Sequence, residues 1–151
     1  MRTGSCVVGL GAMLVAMGVA AVMAQAPAPA VHAEGAWVRQ PAPSRDVTAA
    51  YVVIVNDGDA PVRIVAGESR MAKTVELHEM AMENRMMKMR RVDDIVVPAK
   101  GRVALEPGGL HIMLFGVQAP LEPGTVVPLT LRLQDGSTIA IEAPVRAPES
   151  R

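Results

Sequence analysis

The chain has 151 residues, among them 15 Lys or Arg and 15 Asp or Glu, which gives a formal net charge of +0. This balance argues against a nucleic-acid-binding protein, which needs a basic surface, and it gives no reason to expect an anionic membrane as partner. Half of the residues are hydrophobic, which is enough for the core of one ordinary domain.

The first 24 residues are predicted to be a signal peptide. Arg2 is the only charged residue before Glu34, and the stretch from Cys6 to Ala24 is apolar throughout. Small residues at positions 22 and 24 suit cleavage by a signal peptidase after Ala24. An uncleaved membrane anchor is the alternative, because the apolar stretch is nearly long enough to span a bilayer. Either way, the remaining chain is expected outside the cytoplasm, in the periplasm.

Cys6 is the only cysteine of the chain. It stands too early in the predicted signal peptide to be a lipid-modified cysteine at the cleavage site. Residues 25–151 therefore contain neither a thiol nor a disulfide. A site built from methionine resists disulfide chemistry in an oxidising compartment, although Met can still become a sulfoxide.

Three further segments follow the predicted signal peptide: a flexible Pro/Ala-rich lead at 25–34, one domain at 35–146 and a short polar tail at 147–151. The domain alternates short apolar runs with turn residues, a pattern typical of an all-β sandwich or Greek-key barrel with eight or nine short strands. A helix within 69–89 is the alternative for that segment, since Met, Ala, Glu, Lys and Arg favour helices. The predicted strands cover 48–55, 62–65, 74–82, 86–92, 95–97, 102–105, 111–115, 126–133 and 137–145.

Four residues stand out as candidate metal ligands: His78, Met89, His111 and Met113. His111 and Met113 are separated by one residue on a predicted strand, so they share a face, while Ile112 points into the core. Imidazole and thioether donors without a thiolate suit monovalent copper. The sequence therefore predicts a Cu(I)-binding protein.

A hairpin between the predicted strands 74–82 and 86–92 would assemble half of this site. With Glu83-Asn84 as its two-residue loop, His78 is expected directly opposite Met89 on one face. Six of the seven methionines after residue 24 lie between Met71 and Met89. Packing in the core is the ordinary role of such side chains, and the roles of the neighbouring methionines stay open: Met80, Met82, Met86 and Met87.

At these residues the chain resembles the PCu(A)C family. Ten residues separate His78 from Met89, twenty-one separate Met89 from His111, and Met113 completes the pattern His-x10-Met-x21-His-x-Met. The segments 36–39 and 107–114 are also similar to the family. The resemblance implies a cupredoxin-like β-sandwich and a Cu(I) site formed by these four residues, with Met80 beside it.

The resemblance also implies a function, that of a periplasmic copper chaperone. Such a protein passes copper towards the CuA centre of cytochrome c oxidase or works alongside a thioredoxin-fold copper chaperone. The domain is expected to be a soluble monomer and not an enzyme. The His- and Met-rich tail that binds Cu(II) in some members has no counterpart in 147–151, so such a second site is not expected.

Other functions remain open from the sequence. A periplasmic copper storage or tolerance protein would need the same ligands, and a metal-free β-sandwich that binds a protein partner would need none of them. A blue-copper electron carrier is disfavoured, because its site requires a cysteine thiolate.

Overall fold

The computed structural model describes residues 30–118 and 120–148, and all the regular secondary structure in these ranges is β-strand. The all-β prediction is confirmed, with ten strands in place of eight or nine. The strands are β1 (Val31–Arg39), β2 (Val47–Asn56), β3 (Val62–Glu68), β4 (Ala72–Glu83), β5 (Met86–Arg91), β6 (Ile95–Val97), β7 (Gly101–Leu105), β8 (Leu110–Val117), β9 (Val126–Leu133) and β10 (Thr138–Arg146).

The strands form two layers of a β-sandwich joined along one edge. The first layer has the order β5-β4-β8-β2-β1, with β7 pairing the second half of β2, and the second has the order β10-β9-β3-β6. A short parallel pairing of β1 with β10 connects them. Because β4 pairs with β8, residues 72–83 and 110–117 lie side by side although they are distant in sequence. This pairing positions the candidate site.

The core between the layers is aliphatic. Its most deeply buried side chains are Ile54, Ile64, Ile112, Leu114 and Leu131. They come from alternate positions of their strands, as expected when one face of each strand is buried. The main buried cluster contains no aromatic residue. Ile112 faces this core, as predicted, and so does Leu114.

The aromatic residues lie instead on the outer face of the first layer. The chain has one Trp, one Tyr and one Phe, and all three belong to a small separate cluster with Ala49 and Met113. The rings of Trp37 and Tyr51 pack with centroids 4.5 Å apart. Because Met113 is part of this cluster, the aromatic side chains border the candidate site rather than the core.

The strand missed by the sequence pattern is β1. It begins at Val31, so residues 31–34 of the predicted flexible lead belong to it. Its pairing with β2 shifts between Glu34 and Trp37, where Gly35 has a φ of 60°. A bulge of this kind interrupts the alternation on which strand prediction depends. The predicted signal peptide and residues 25–29 lie outside the described residues, as do 149–151 of the predicted tail.

Candidate metal centre

The two candidate histidines face each other across neighbouring strands. His78 on β4 is directly opposite His111 on β8, and Glu76 is directly opposite Met113. Opposed residues of an antiparallel pair point to the same side, so all four side chains share the outer face of the sheet. The two imidazole ring centroids are 6.0 Å apart.

Each imidazole is held through one nitrogen and leaves the other free. Nε2 of His78 lies 2.8 Å from Oε2 of Glu76, and Nδ1 of His111 lies 2.9 Å from the carbonyl oxygen of Gly109. The other nitrogens, Nδ1 of His78 and Nε2 of His111, are buried and have no hydrogen-bond partner in the described part of the chain. A carboxylate or carbonyl on one nitrogen and a lone pair on the other is the usual arrangement of a metal-binding histidine.

An unpartnered buried nitrogen is costly. A buried polar atom without a hydrogen bond costs about 1–3 kcal/mol, and two of them lie here on facing rings. His111 is only 3% exposed, which limits its access to water. Coordination of a cation by both nitrogens would remove this cost, so the geometry favours a metal site.

Met113 lies on the same face as His111 and is 9% exposed. It packs in the small outer cluster with Ala49 and Tyr51, and the ring of Phe115 is 6.0 Å from that of His78. These contacts give the histidine pair an apolar wall on the side of β8 and β2. A thioether held beside two imidazoles in such a wall is a suitable donor for a soft cation.

The predicted hairpin forms, but with a different register. The loop is Asn84-Arg85, both with positive φ, and Met80, not His78, is directly opposite Met89. The prediction of a Glu83-Asn84 loop with His78 opposite Met89 is therefore wrong, and so is the helical alternative for 69–89. A type I′ loop needs positive φ at both positions, and Asn adopts it far more readily than Glu.

In the observed register Met89 lies two residues along the strand from its predicted position, but on the same face. The register differs by two residues, so Met89 still projects on the side of His78, in the diagonal position next to it. Diagonal neighbours are within reach of long side chains. Met89 is half exposed, at 50%, in contrast to the buried His111 and Met113.

Sequence reasoning missed Glu76. Its carboxylate contacts His78 Nε2 and also lies 3.5 Å from Nη1 of Arg91. The available signal was the spacing Glu76-Leu77-His78, which places a carboxylate two residues before the histidine on the same face. Glu79, the nearer neighbour in sequence, points to the other face and pairs with Arg90.

Gly109, the residue before β8, is hydrogen-bonded to β4 beside the candidate site. Its carbonyl oxygen accepts a hydrogen bond from the backbone N–H of Met80, at 3.1 Å, in addition to that from the His111 ring. The preceding Gly108 has a φ of 87°, a conformation that glycine adopts without steric cost. This turn lets the end of β8 approach β4 closely.

No group of three or more His, Cys, Asp or Glu in the described ranges is arranged to hold a metal ion, so a zinc- or calcium-type cluster is not seen there. In the same ranges no helix has the length and apolar character needed to cross a membrane.

Comparison with known proteins identifies the family. Residues 31–145 match the family described as "Putative lipoprotein LpqE-like". The chain belongs to the LpqE-like family. A relative in Leifsonia xyli subsp. xyli, named "Putative lipoprotein Lxx21020", is 36% identical over 129 residues, which cover 82% of this chain and 76% of that protein.

Solved structures similar to this LpqE-like chain include PCuAC domains. A copper-bound PCuAC domain from PmoF2 has a TM-score of 0.68 and 26% identity, over 83% of this chain and all of that one (100%). The apo form of DR1885 from Deinococcus radiodurans has a TM-score of 0.62 and 31% identity, over 98% of this chain and 97% of that one. The fold is thus the cupredoxin-like β-sandwich of these domains, as predicted.

Proposed function

We propose that this protein binds Cu(I) as cargo at His78, Met89, His111 and Met113 and passes it to another protein outside the cytoplasm. The observation that carries the proposal is the pair of facing imidazoles, each with a buried nitrogen that has no hydrogen-bond partner among the described residues, on the face that also bears Met113 and Met89. Support comes from two similar structures whose titles name bound copper, the PmoF2 domain and CuI-DR1885, the latter 34% identical over 74% of this chain.

The donor set determines which ion is held. Thioether and neutral imidazole are soft or intermediate ligands, and thioether in particular selects Cu(I) over Zn(II) or Mg(II). None of the four donors carries a charge, so the bound ion keeps its single positive charge. Glu76 supplies a negative charge beside His78, and Arg91 partly offsets it. These features favour reversible binding of a monovalent ion.

The exposure of the donors suggests how the ion leaves. His111 and Met113 are buried, whereas Met89 is half exposed on the edge strand β5. A donor of the receiving protein can replace the Met89 thioether first, and the remaining donors would follow. No thiolate has to be displaced, because residues 25–151 contain no cysteine.

Location and recipient are part of the proposal. The apolar segment 6–24 supports export to the periplasm, and the word lipoprotein in the names of the matching family and of the Leifsonia xyli relative supports a protein of the cell envelope. The resemblance to PCu(A)C proteins favours the CuA centre of cytochrome c oxidase, or a thioredoxin-fold copper chaperone, as recipient. Mass analysis of the N-terminus of the exported protein distinguishes cleavage after Ala24 from lipid attachment at Cys6 and from a retained anchor.

An anaerobic titration tests the binding step. Cu(I) added in competition with a chromophoric Cu(I) chelator should give tight binding at the four-donor site, and a protein with His78→Ala and Met113→Leu should lose that binding. If the unmodified protein takes no Cu(I) from the chelator, it is instead a metal-free partner-binding module.

Deletion of the gene separates delivery from storage. A chaperone for the oxidase predicts that oxidase activity falls at limiting copper and that added copper restores it. Normal oxidase activity combined with increased copper sensitivity would show storage or tolerance instead.

A further inference from the structure

The hairpin β4–β5 exposes four large apolar side chains, and all four are methionine. Met82 is 67% exposed, Met86 60%, Met87 49% and Met89 50%. Every residue of β5 is exposed, so this strand adds no side chain to the core. Val, Ile or Thr would favour a strand more strongly. Folding therefore does not explain the choice of methionine here.

The register arranges these thioethers in rows. Met82 is directly opposite Met87, and Met80 is directly opposite Met89. Cβ atoms of opposed residues are about 5 Å apart, and the next pair on the same face lies about 6.8 Å along the strands. The two pairs and His78 therefore form a continuous row on one face, which we call the thioether row.

Met86 does not belong to the thioether row. It is opposite Glu83, and because side chains alternate along a strand it points to the other face of the hairpin. Met86 and Met87 are thus adjacent methionines of similar exposure on opposite faces. The chain itself provides a control for any effect of exposed methionine as such.

We propose that Met80, Met82 and Met87 form a second site for a soft monovalent cation, Cu(I) or Ag(I), at the outer end of the thioether row. Two strands supply three neutral sulfur donors to one face, and thioether donors select such ions. The site lacks imidazole, so it is expected to bind more weakly than the histidine pair. It is distinct from the four-residue site, which uses Met89.

The charges around the hairpin allow a cation at this position. Lys88 lies 3.1 Å from the carboxylate of Glu83, and Arg90 pairs with Glu79. Lys88 is directly opposite Ala81, and Arg90 is directly opposite Glu79. These residues alternate with those of the thioether row along the two strands, so both ion pairs project from the opposite face. Arg91 lies beside His78 and is balanced by Glu76.

The position of this second site deepens the proposed function, on which this part of the inference rests. An ion held by Met80, Met82 and Met87 is close to Met89, because Met80 is directly opposite Met89, and Met89 is a proposed ligand of the histidine site. Exchange of one thioether for another would move the ion inward without release into solvent. The outer site would then serve for loading or for transfer to a recipient.

A titration with Ag(I) alone, followed by NMR of ¹³C-labelled methionine methyl groups, tests the proposal. The unmodified protein should bind two ions, and the methyl signals of Met82 and Met87 should move with the second. A protein with Met82→Leu and Met87→Leu should bind one ion. The matched control Met86→Leu should bind two. Leucine preserves volume at these exposed positions, so all three proteins are expected to fold.

The outcomes separate this inference from the proposed function. One ion per unmodified chain, with unmoved Met82 and Met87 signals, overturns the second site and leaves the first intact; the row would then be a surface for a protein partner. Loss of the second ion in Met86→Leu also overturns it. A protein with His78→Ala and Met113→Leu should still bind one ion at the thioether row. If that variant binds none while the unmodified protein binds two, the second site is not independent and the inference fails.

Discussion

Glu76 determines which nitrogen of His78 is available. Its carboxylate accepts the Nε2 hydrogen, so the lone pair is on Nδ1, the buried nitrogen that no residue in the described ranges partners. Removal of this contact frees the ring to rotate and to change tautomer. A carboxylate of this kind acts on the metal through the histidine, with no bond to the ion.

Replacement of Glu76 by Ala should therefore weaken Cu(I) binding by roughly ten-fold or more, the effect typical of such partners of metal-binding histidines. The measurement is anaerobic competition with a Cu(I) chelator. Glu79→Ala is the control, because Glu79 is the adjacent carboxylate on the other face, with 25% of its side chain exposed against 24% for Glu76. Equal affinities of the two variants would refute a role for Glu76.

Met113 offers a second test at the level of a single side chain. Met113→Leu keeps the volume that packs against Ala49 and Tyr51 but removes the sulfur donor. The free energy of unfolding of the metal-free protein should change by less than about 1.5 kcal/mol, while Cu(I) affinity falls clearly. Met71→Leu, at the edge of the core, should leave the affinity unchanged. If both variants bind copper like the unmodified protein, the Met113 side chain serves only for packing and is not a copper ligand.

At the level of elements, the hairpin β4–β5 depends on its two-residue loop. Asn84 has a φ of 52° and Arg85 a φ of 66°. Asn tolerates this left-handed conformation, whereas the same conformation costs Arg roughly 1–2 kcal/mol. The loop sets the register and thus the place of Met89 relative to His78.

Arg85→Gly should stabilise the hairpin by about 0.5 kcal/mol, because relief of the left-handed conformation exceeds the greater entropy of glycine in the unfolded chain. Amide hydrogen exchange in β4 and β5 should slow, while exchange in β9 and β10 stays the same. Asn84→Gly is the control and should give no gain. Faster exchange in Arg85→Gly would contradict the observed loop.

For the whole molecule, the aromatic cluster links stability to pH. Burial raises the pKa of Tyr51 above its ordinary 10.0, and the nearby positive charge of Arg39 opposes this only in part. The unfolded chain therefore loses the phenolic proton first as pH rises. Below pH 10 the contribution of Tyr51 is fully present, and it is lost between pH 10 and the raised pKa of the folded protein.

The free energy of unfolding should accordingly fall more steeply above pH 10 in the unmodified protein than in Tyr51→Phe. Lysine residues also titrate in this range, so the difference between the two proteins is the quantity to measure, by denaturant unfolding at several pH values. Parallel curves for the two proteins would show that Tyr51 is not buried as described.

Much of this molecule follows from alternation and spacing in the sequence. In strands such as β9, apolar and polar residues alternate with a period of two. The numbers of residues that separate His78, Met89, His111 and Met113 indicated the candidate donors. The Pro/Ala-rich start hid β1, because the bulge at Gly35 breaks alternation. The hairpin register could not be predicted correctly without knowing that Asn84 and Arg85, and not Glu83, adopt positive φ. The spacing Glu76-Leu77-His78 already places the Glu76 carboxylate on the face of His78, whereas the pairing of His78 with His111 depends on β4 lying beside β8, which only the fold provides.

The central claim is that two imidazoles and two thioethers hold one Cu(I) ion. X-ray absorption spectroscopy of the protein loaded with one equivalent of Cu(I) tests it most directly, because nitrogen and sulfur ligands scatter differently. We predict two nitrogen and two sulfur ligands, with one sulfur lost in Met113→Leu. A spectrum without sulfur, or one that Met113→Leu leaves unchanged, would contradict the account.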